Sequence, residues 1–575
     1  MTGEMTTSEQ GKAQQSFWHR LLEQKVSRRQ AIGTTAVVGA TAALPLTLTN
    51  AGAAPNNGGP VTTRESAVGA SSAFTYPPFK PIDATTADAL SLPSGFSYQI
   101  LAPWGEKLND AGDEVGFNHD FIGFFPMDML QGGSSSTDAI LTINNEYVNP
   151  MFVGGNVKDR SPEQIQAEMK GVGVTVVRVR KEGGQWNVVY NDPHNRRIDA
   201  LTEIELTGPA RGSAVLGGAT TVRGSVGNCS GGQTPWGTLL SCEENVDGYT
   251  KAWPNTGYNA LHQGWITEID PYDPKSRPKK RTAMGRFRHE NAALTVAKDG
   301  RVVVYMGDDM RDACVYKFVS RSQYNPDDRR ANMDLLAEGD LYVADFGKGE
   351  WLLLDYDRNE KLKNAKTKEG KLVATNQAEV LADARASAIA IGATPTDRPE
   401  DIEIHPKTGE VYVALTNNSA HGNFFGQIVK LTEQDGDWTQ AKFRWDVFAV
   451  GGPKTGFSSP DNLVFDPYGN LWMVTDSGTG ENSIYDFLGN NSMFFFPTEG
   501  PNAGKAYRFA VGPVEAEMTG PTWSPDGKTL FLSIQHPGED SESLDRLTSN
   551  FAAKEGSTIP RPTLVAIQGF AGWRS

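Results

Sequence analysis

The sequence predicts an all-β protein, a β-propeller carrying loop and helical insertions, and three observations lead there. The first is composition: 61 glycines, 33 prolines and 12 tryptophans among 575 residues favour turns and strands over long helices. The second is a recurring unit, in which an apolar triplet runs through an Asp/Pro turn with glycine into an aromatic or branched strand. The third is spacing: the last three copies recur at about sixty residues, which suits a four-stranded blade with one long loop. A β-sandwich has no need of the same turn at such regular intervals.

Taken in order, the chain opens on an export signal. Val26-Ser27-Arg28-Arg29-Gln30-Ala31-Ile32 is a twin-arginine pattern, the apolar run Ala31 to Leu48 follows, and Ala51-Gly52-Ala53-Ala54-Pro55 offers a cleavage site. Gly33, Gly39 and Pro45 interrupt the apolar run, so no stable membrane anchor is expected. Residues 1–54 are therefore expected to be the signal, 55–78 a flexible Gly/Ser/Thr-rich linker, and 79–575 the propeller. This reading implies passage through the twin-arginine machinery and a periplasmic or extracellular destination.

Four hairpins show the repeat plainly. Ala292–Val296 leads through Asp299-Gly300 to Val302–Tyr305, and Ile402–Ile404 through Thr408-Gly409 to Val411–Val413. Leu463–Phe465 leads through Asp466-Pro467-Tyr468-Gly469 to Leu471–Val474, and Pro521–Trp523 through Asp526-Gly527 to Leu530–Ser533. Ala139–Glu146 and Trp236–Cys242 read as earlier copies with degenerate turns. Two polar stretches break the rhythm and read as insertions, about 320–393 with a helical patch at 377–390, and 541–558.

The formal charge is −15, and residues 1–53 hold five Lys/Arg against three Asp/Glu, leaving −17 for the remainder. Such a surface excludes nucleic acid and anionic membranes as partners. An anionic substrate would need a cation in the site, and bound metal is the natural source. The three cysteines (Cys229, Cys242, Cys314) leave at least one unpaired, so disulfides do not staple this fold, although a Cys229–Cys242 bridge is one reading of Cys242.

The residues with chemistry sit at one phase of the repeat. Hairpins end in Asn144-Asn145-Glu146, Cys242-Glu243-Glu244, Asp308-Asp309, Thr475-Asp476 and Gln535-His536, and others begin at His289-Glu290, Arg398-Pro399-Glu400-Asp401 and Pro460-Asp461. In a propeller these entries and exits converge on one face. A ring of acids there needs cations, because like charges at close range are otherwise intolerable. Carboxylate oxygens suit Ca²⁺, and a thiolate such as Cys242 suits an iron-like or zinc-like ion, the alternative being a buried core cysteine. Cys314 is expected in the core, His405 in solvent, and Asp476 as a turn cap.

These blocks resemble the PhoX-type alkaline phosphatases, exported six-bladed propeller enzymes. The likeness rests on NNEYVNP (144–150), TPWGTLLSCEENVDGY (234–249), GRFRHENAA (285–293), VVYMGDD (303–309), RPEDIEIHPKTGEVYVALTNN (398–418), PDNLVFDPYGNLWMVTD (460–476) and GPTWSPDGKTLFLSIQHPGE (520–539). The resemblance implies six blades, a cluster of two Fe³⁺ and three Ca²⁺, and hydrolysis of phosphate monoesters at alkaline pH. It implies iron ligands at Cys242, Glu290, Glu400 and Asp461, calcium ligands at Glu243, Glu146 and Asp308, and a phosphate-binding arginine at Arg398. Asn145 stands where the family's first block commonly carries histidine.

The expected partner is a phosphorylated small molecule, and a monomer is expected. Two other classes fit parts of the sequence: a calcium-dependent propeller lactonase, which shares the 460–476 hairpin, and a non-catalytic propeller serving as a binding platform.

Overall fold

Six sheets, antiparallel but for one parallel pair, Glu203–Thr207 with Lys279–Arg281, stand around one axis in the computed structural model, each of four to six strands. The structure describes residues 17–31, 77–155, 157–478, 483–571 and 573. The cleavage site and nearly all of the 55–78 linker lie outside these residues.

The innermost strands, in chain order, are His119–Pro126, Asn228–Gln233, Ala293–Val296, Pro399–Ile404, Pro460–Phe465 and Glu517–Trp523. Each pairs with a second strand, and these pairs are the hairpins read from the sequence: Asp138–Asn145, Leu239–Glu243, Arg301–Gly307, Val411–Leu415, Leu471–Thr475 and Thr529–Gln535. The turns of the last four blades are closed by a glycine of positive φ: Gly300, Gly409, Gly469 and Gly527. In the fifth blade Asp466 Oδ1 accepts the amides of Tyr468 and Asn470 (both 2.9 Å), and Gly469 supplies the φ of +88° that closes the loop.

Packing between blades holds the ring together. The second strands are buried throughout, as in Leu471–Thr475 and Thr529–Gln535, so they read as continuous apolar runs rather than alternating ones. Trp472, for example, meets Phe509 of its own blade and Trp523 of the next, with Phe79 from the stretch ahead of the first blade stacked on it. Each such wholly buried large side chain contributes about 1.5–3 kcal/mol, well above what a hairpin turn supplies. Closure is non-local: Ser97–Leu101 pairs with Thr563–Gln568, completing the last blade with a strand from the opposite end of the chain. All three cysteines are buried and free, so no disulfide assists.

The stretch from residue 320 is not wholly an insertion. Gly339–Asp345 and Glu350–Leu353 are the outer strands of the third blade, with the short helix Arg329–Asn332 before them and longer ones after, including Gln377–Ala382 and Ala384–Ile391. These two pack against the segment Thr282–Met284 and the core around Phe287 and Leu341. Phe17–Ala31 forms a helix seated on the propeller's flank. Among the described residues no helix is long and apolar enough to cross a membrane.

Candidate metal centre and active site

One backbone device recurs in every blade and builds the site. Just before the innermost strand, two residues before it in the sixth blade and five in the third, stands an entry residue: Asn118, Gly227, Arg288, Arg398, Ser459 and Glu515 in turn. Five of the six have positive φ (Asn118 41°, Gly227 62°, Arg398 54°, Ser459 46°, Glu515 59°), a region that costs a non-glycine residue about 1 kcal/mol or more. The second strand's exit residue bonds back to that carbonyl: the amides of Glu146, Glu244, Asp309, Thr416 and Asp476 donate to Asn118, Gly227, Arg288, Arg398 and Ser459 at 2.8–3.1 Å. In the sixth blade the His536 ring takes this part, Nδ1 lying 2.9 Å from the Glu515 carbonyl. In the first, fourth and fifth blades a β-bulge follows, two residues opposing one, at 120–121, 400–401 and 461–462.

Two residues after each entry residue comes the same kind of side chain: Asp120, Cys229, Glu290, Glu400, Asp461 and Glu517, five carboxylates and one thiol, all buried except half-buried Glu517. With the exit residues Glu146, Glu244, Asp309 and Asp476, all of them but Asp120 line one pocket, which His536, Glu539 and Arg398 also line and whose cavity is about 320 Å³; Asp120 stands behind Cys229. Three groups at this centre bring donor atoms within 4.8 Å of one another: Asp120, Glu146 and Cys229; Cys229, Glu244 and Glu290; and Glu290, Glu400 and Asp461.

The electrostatics are those of a site built for cations. Burial, then the Asp120 charge, pushes Glu146 up to about 8, and burial pushes Asp120 up to about 6. Burial and the neighbouring carboxylates lift Glu244, Glu290, Glu400, Asp461 and Glu517 well above the usual range, and the Cys229 thiol likewise. Cys229 Sγ lies 3.3 Å from Glu290 Oε2 and 3.5 Å from Asp120 Oδ2, while Glu244 Oε1 is buried without a hydrogen-bond partner. Buried oxygens in this state are compensated by positive ions or by protons. The donor set therefore fits metal: carboxylate oxygens for hard cations and one thiolate for a transition ion.

Arg398 is the cation already present. Its guanidinium holds Asp309 in a two-pronged pair (2.8 and 2.9 Å) and reaches Glu400 Oε1 at 2.7 Å and Asp476 Oδ2 at 3.6 Å. Burial would raise Asp309, but the Arg398 charge outweighs it and holds that carboxyl below the usual range. On the sixth-blade side Tyr147 donates to Glu539 (2.6 Å), and His536 lies 3.2 Å from Glu539 and 3.5 Å from Glu517.

Of the residues expected at the site, Glu146, Glu290, Arg398, Glu400 and Asp461 do line the pocket. Three others do not. Cys242 faces the core with Leu240, Ile266 and Phe287, because the strand's alternation turns residues 240 and 242 away from the axis; the pocket's thiol is Cys229. Glu243 points to the opposite side, where Lys280 (2.8 Å), Ser225 (2.8 Å) and the Gly264 and Trp265 amides (2.9 and 3.2 Å) occupy its oxygens. Only past the strand end does the chain turn Glu244 inward. Asp308 is held by Arg385 behind the wall (Nε 2.7 Å), and its neighbour Asp309 takes the pocket position.

Other expectations also shift. Asp476 lines the pocket, whereas His405 is buried, its Nδ1 accepting the Lys407 and Thr408 amides at 3.1 and 3.2 Å. His289 is buried against Phe287 and outside the pocket. Asn145 faces Thr175 and Arg197, leaving Glu146 beside it to reach the site. Sequence reasoning did not select Asp120, Cys229, Glu244, Asp309 and Glu517. The signal for Asp120, Cys229 and Glu517 is the offset of two from an entry residue; Glu244 and Asp309 are the exit residues one position past Glu243 and Asp308.

Fold and site together define a six-bladed propeller hydrolase with an axial acid-and-thiol centre. The family model for alkaline phosphatase PhoX matches residues 77–538. The solved structure of Pseudomonas fluorescens PhoX, in complex with vanadate, is 33% identical, with a TM-score of 0.74, over 85% of this chain and 97% of that one. This chain belongs to the PhoX alkaline phosphatase family and is a phosphomonoesterase. A protein of unknown function from Dyadobacter fermentans (11% identical, TM-score 0.34, 82% of this chain and 98% of that one) also matches. So does a gluconolactonase from Xanthomonas campestris (12%, TM-score 0.29, 85% and 97%), and at such similarity neither bears on function. No curated protein matches the chain.

Proposed function

We propose that this chain is an exported, metal-dependent alkaline phosphatase that frees inorganic phosphate from small phosphate monoesters. The observation that carries the reading is the pocket where four ring carboxylates, Glu290, Glu400, Asp461 and Glu517, and the Cys229 thiol meet Arg398. The vanadate bound by the Pseudomonas fluorescens enzyme, described there as a transition-state analogue, supports phosphoryl chemistry for this chain too.

The family resemblance implies two Fe³⁺ and three Ca²⁺, and the donors can be apportioned between the two metals by their chemistry. Cys229 with Glu244 and Glu290, and Glu290 with Glu400 and Asp461, are the sets for iron. Calcium falls to the oxygen-only side, Glu146, Glu517 and Asp476. When bound, these ions supply the positive charge that neutralises phosphoryl oxygens and the leaving oxygen. Everything else is the work of side chains. Arg398 stays charged at alkaline pH, and Asp309 and Glu400 fix its planar fork at the pocket wall, ready to hold a tetrahedral anion by two hydrogen bonds. His536 and Tyr147, tied to Glu539, border the pocket where the ester group enters. The left-handed backbone at Arg398 aims this side chain into the pocket while Glu400 follows into the ring. The twin-arginine signal takes the folded chain to the periplasm or beyond.

The test is metal analysis beside hydrolysis of p-nitrophenyl phosphate and of gluconolactone. Iron and calcium content should track phosphatase activity through chelation and reloading, with the lactone untouched. Full phosphatase activity in metal-free protein, or none in protein loaded with both metals, defeats the proposal.

A further inference from the structure

A second cluster of metal-type donors lies away from the axial pocket, where the helix Phe17–Ala31 meets the propeller. The helix is seated by apolar contact. Trp18 is 1% exposed, stacks on Trp445 and meets Phe346 edge-on, each with centroids 5.0 Å apart. Lys25 Nζ lies 5.1 Å over the Trp445 ring and donates to the Trp445 carbonyl at 2.5 Å. These two anchors bring the intervening surface, and with it His19, down onto Asp397.

Asp397 is fully buried at the end of the short strand Thr396–Asp397. Its Oδ2 lies 2.9 Å from His19 Nε2 and accepts from Asn423 Nδ2 at 2.9 Å and Gln427 Nε2 at 3.5 Å. Its Oδ1 is buried with no hydrogen-bond partner, which a native interior rarely leaves unexplained. The group facing that oxygen is His421, with Nδ1 at 3.8 Å and its ring centroid 5.5 Å from that of His19. One donor atom from each of His19, Asp397 and His421 falls within 4.8 Å of the others. Asp312 Oδ1 stands 3.6 Å from His421 Nδ1 at the exposed edge, and Asn418 Nδ2 lies 3.0 Å from the same nitrogen.

We propose that His19, Asp397 and His421 bind one divalent cation of the zinc type, which clamps the N-terminal helix to the folded propeller. Two imidazoles and a carboxylate are a zinc ligand set, with the fourth position open to water or to Asp312. Asn423 and Gln427 hold the carboxylate from behind, as outer-shell partners of metal ligands do. The bound ion satisfies the orphaned Oδ1, which no contact in the cluster does. The site is also conditional. His19 precedes Arg28-Arg29 in the same helix, so the complete ligand set exists only in a chain that retains this segment and has folded far enough to bury Asp397.

The experiment uses the full-length, metal-loaded enzyme beside His19→Ala and His421→Ala, each equilibrated with Zn²⁺ and desalted. The unaltered chain should retain one more zinc per molecule than either variant, and bind it at least about tenfold more tightly, as loss of a ligand or its support entails. Amide exchange over residues 17–25 should slow on adding Zn²⁺ in the unaltered chain alone. Hydrolysis of p-nitrophenyl phosphate should be equal in all three, separating this site from the axial centre. Equal zinc retention in all three proteins overturns the proposal, as does exchange at 17–25 that ignores zinc in the unaltered chain. His19 lies outside the propeller, so His19→Ala keeps the test independent of folding.

Discussion

Replacing the two cysteines one at a time separates the pocket thiol from the core thiol. Cys229 Sγ lies within 3.5 Å of Asp120 and Glu290, so its removal deletes a donor shared by two of the three candidate metal groups. Losing an outer-shell partner already costs roughly 10–100-fold, so Cys229→Ala should lower iron retention and phosphatase activity together by at least ~100-fold. Thermal stability of the metal-free protein should change little or rise, because a buried group among carboxylates has gone. Cys242→Ala deletes one buried heavy atom among Leu240, Ile266 and Phe287. By comparison with Ile→Val it should cost about 0.5–1.5 kcal/mol and leave iron and turnover intact. The assay is iron content by mass spectrometry, p-nitrophenyl phosphate hydrolysis and urea unfolding on the same preparations. An active, iron-bearing Cys229→Ala beside an inactive, iron-free Cys242→Ala refutes the assignment.

Arg398→Ala should cut kcat by roughly 10²–10³-fold, the loss typical of one donor to transition-state charge, with Arg398→Lys recovering only part because a lysine lacks the fork; steady-state kinetics check both. In the metal-free protein, stability should fall as pH rises from about 4 to about 8: unfolded carboxyls ionise near 4, whereas folded Asp120 and Glu146 keep their protons to about 6 and about 8, so the folded state binds more protons across that window. Metal loading should flatten this slope, and melting curves with and without chelator read it. Glu243→Gln leaves Lys280 buried without its countercharge and should destabilise by roughly 3–5 kcal/mol while iron and calcium content stay unchanged, measured by denaturant unfolding and metal analysis.

The fold was legible because hairpin chemistry is local. Asp466 and Gly469 shape their turn from within five residues, and the apolar runs on either side declare two buried strands. Part of the site was legible for the same reason. Glu290, Glu400 and Asp461 begin hairpins, Glu146 ends one, and Arg398 precedes one, so the repeat's phase alone gathers them on one face. The third blade's outer strands were missed because Gly339–Asp345 and Glu350–Leu353 lie in a polar, charged stretch, where tertiary pairing overrides local pattern.

By itself, then, the order of residues determined how many hairpins there are, which ends of them bear acids, and that a thiol belongs near Glu243-Glu244. It did not determine which thiol. A strand reverses its side chains at every residue, so neighbours such as Cys242 and Glu243, or Asp308 and Asp309, differ in destination by half a turn that depends on where pairing stops and bulges begin. Only the assembled ring decides that. Left-handed entry residues fix the phase of five of the six innermost strands, and in the second blade Gly227 sends Cys229 to the axis and holds the Glu244 amide there, while Cys242 and Glu243 close inside the blade.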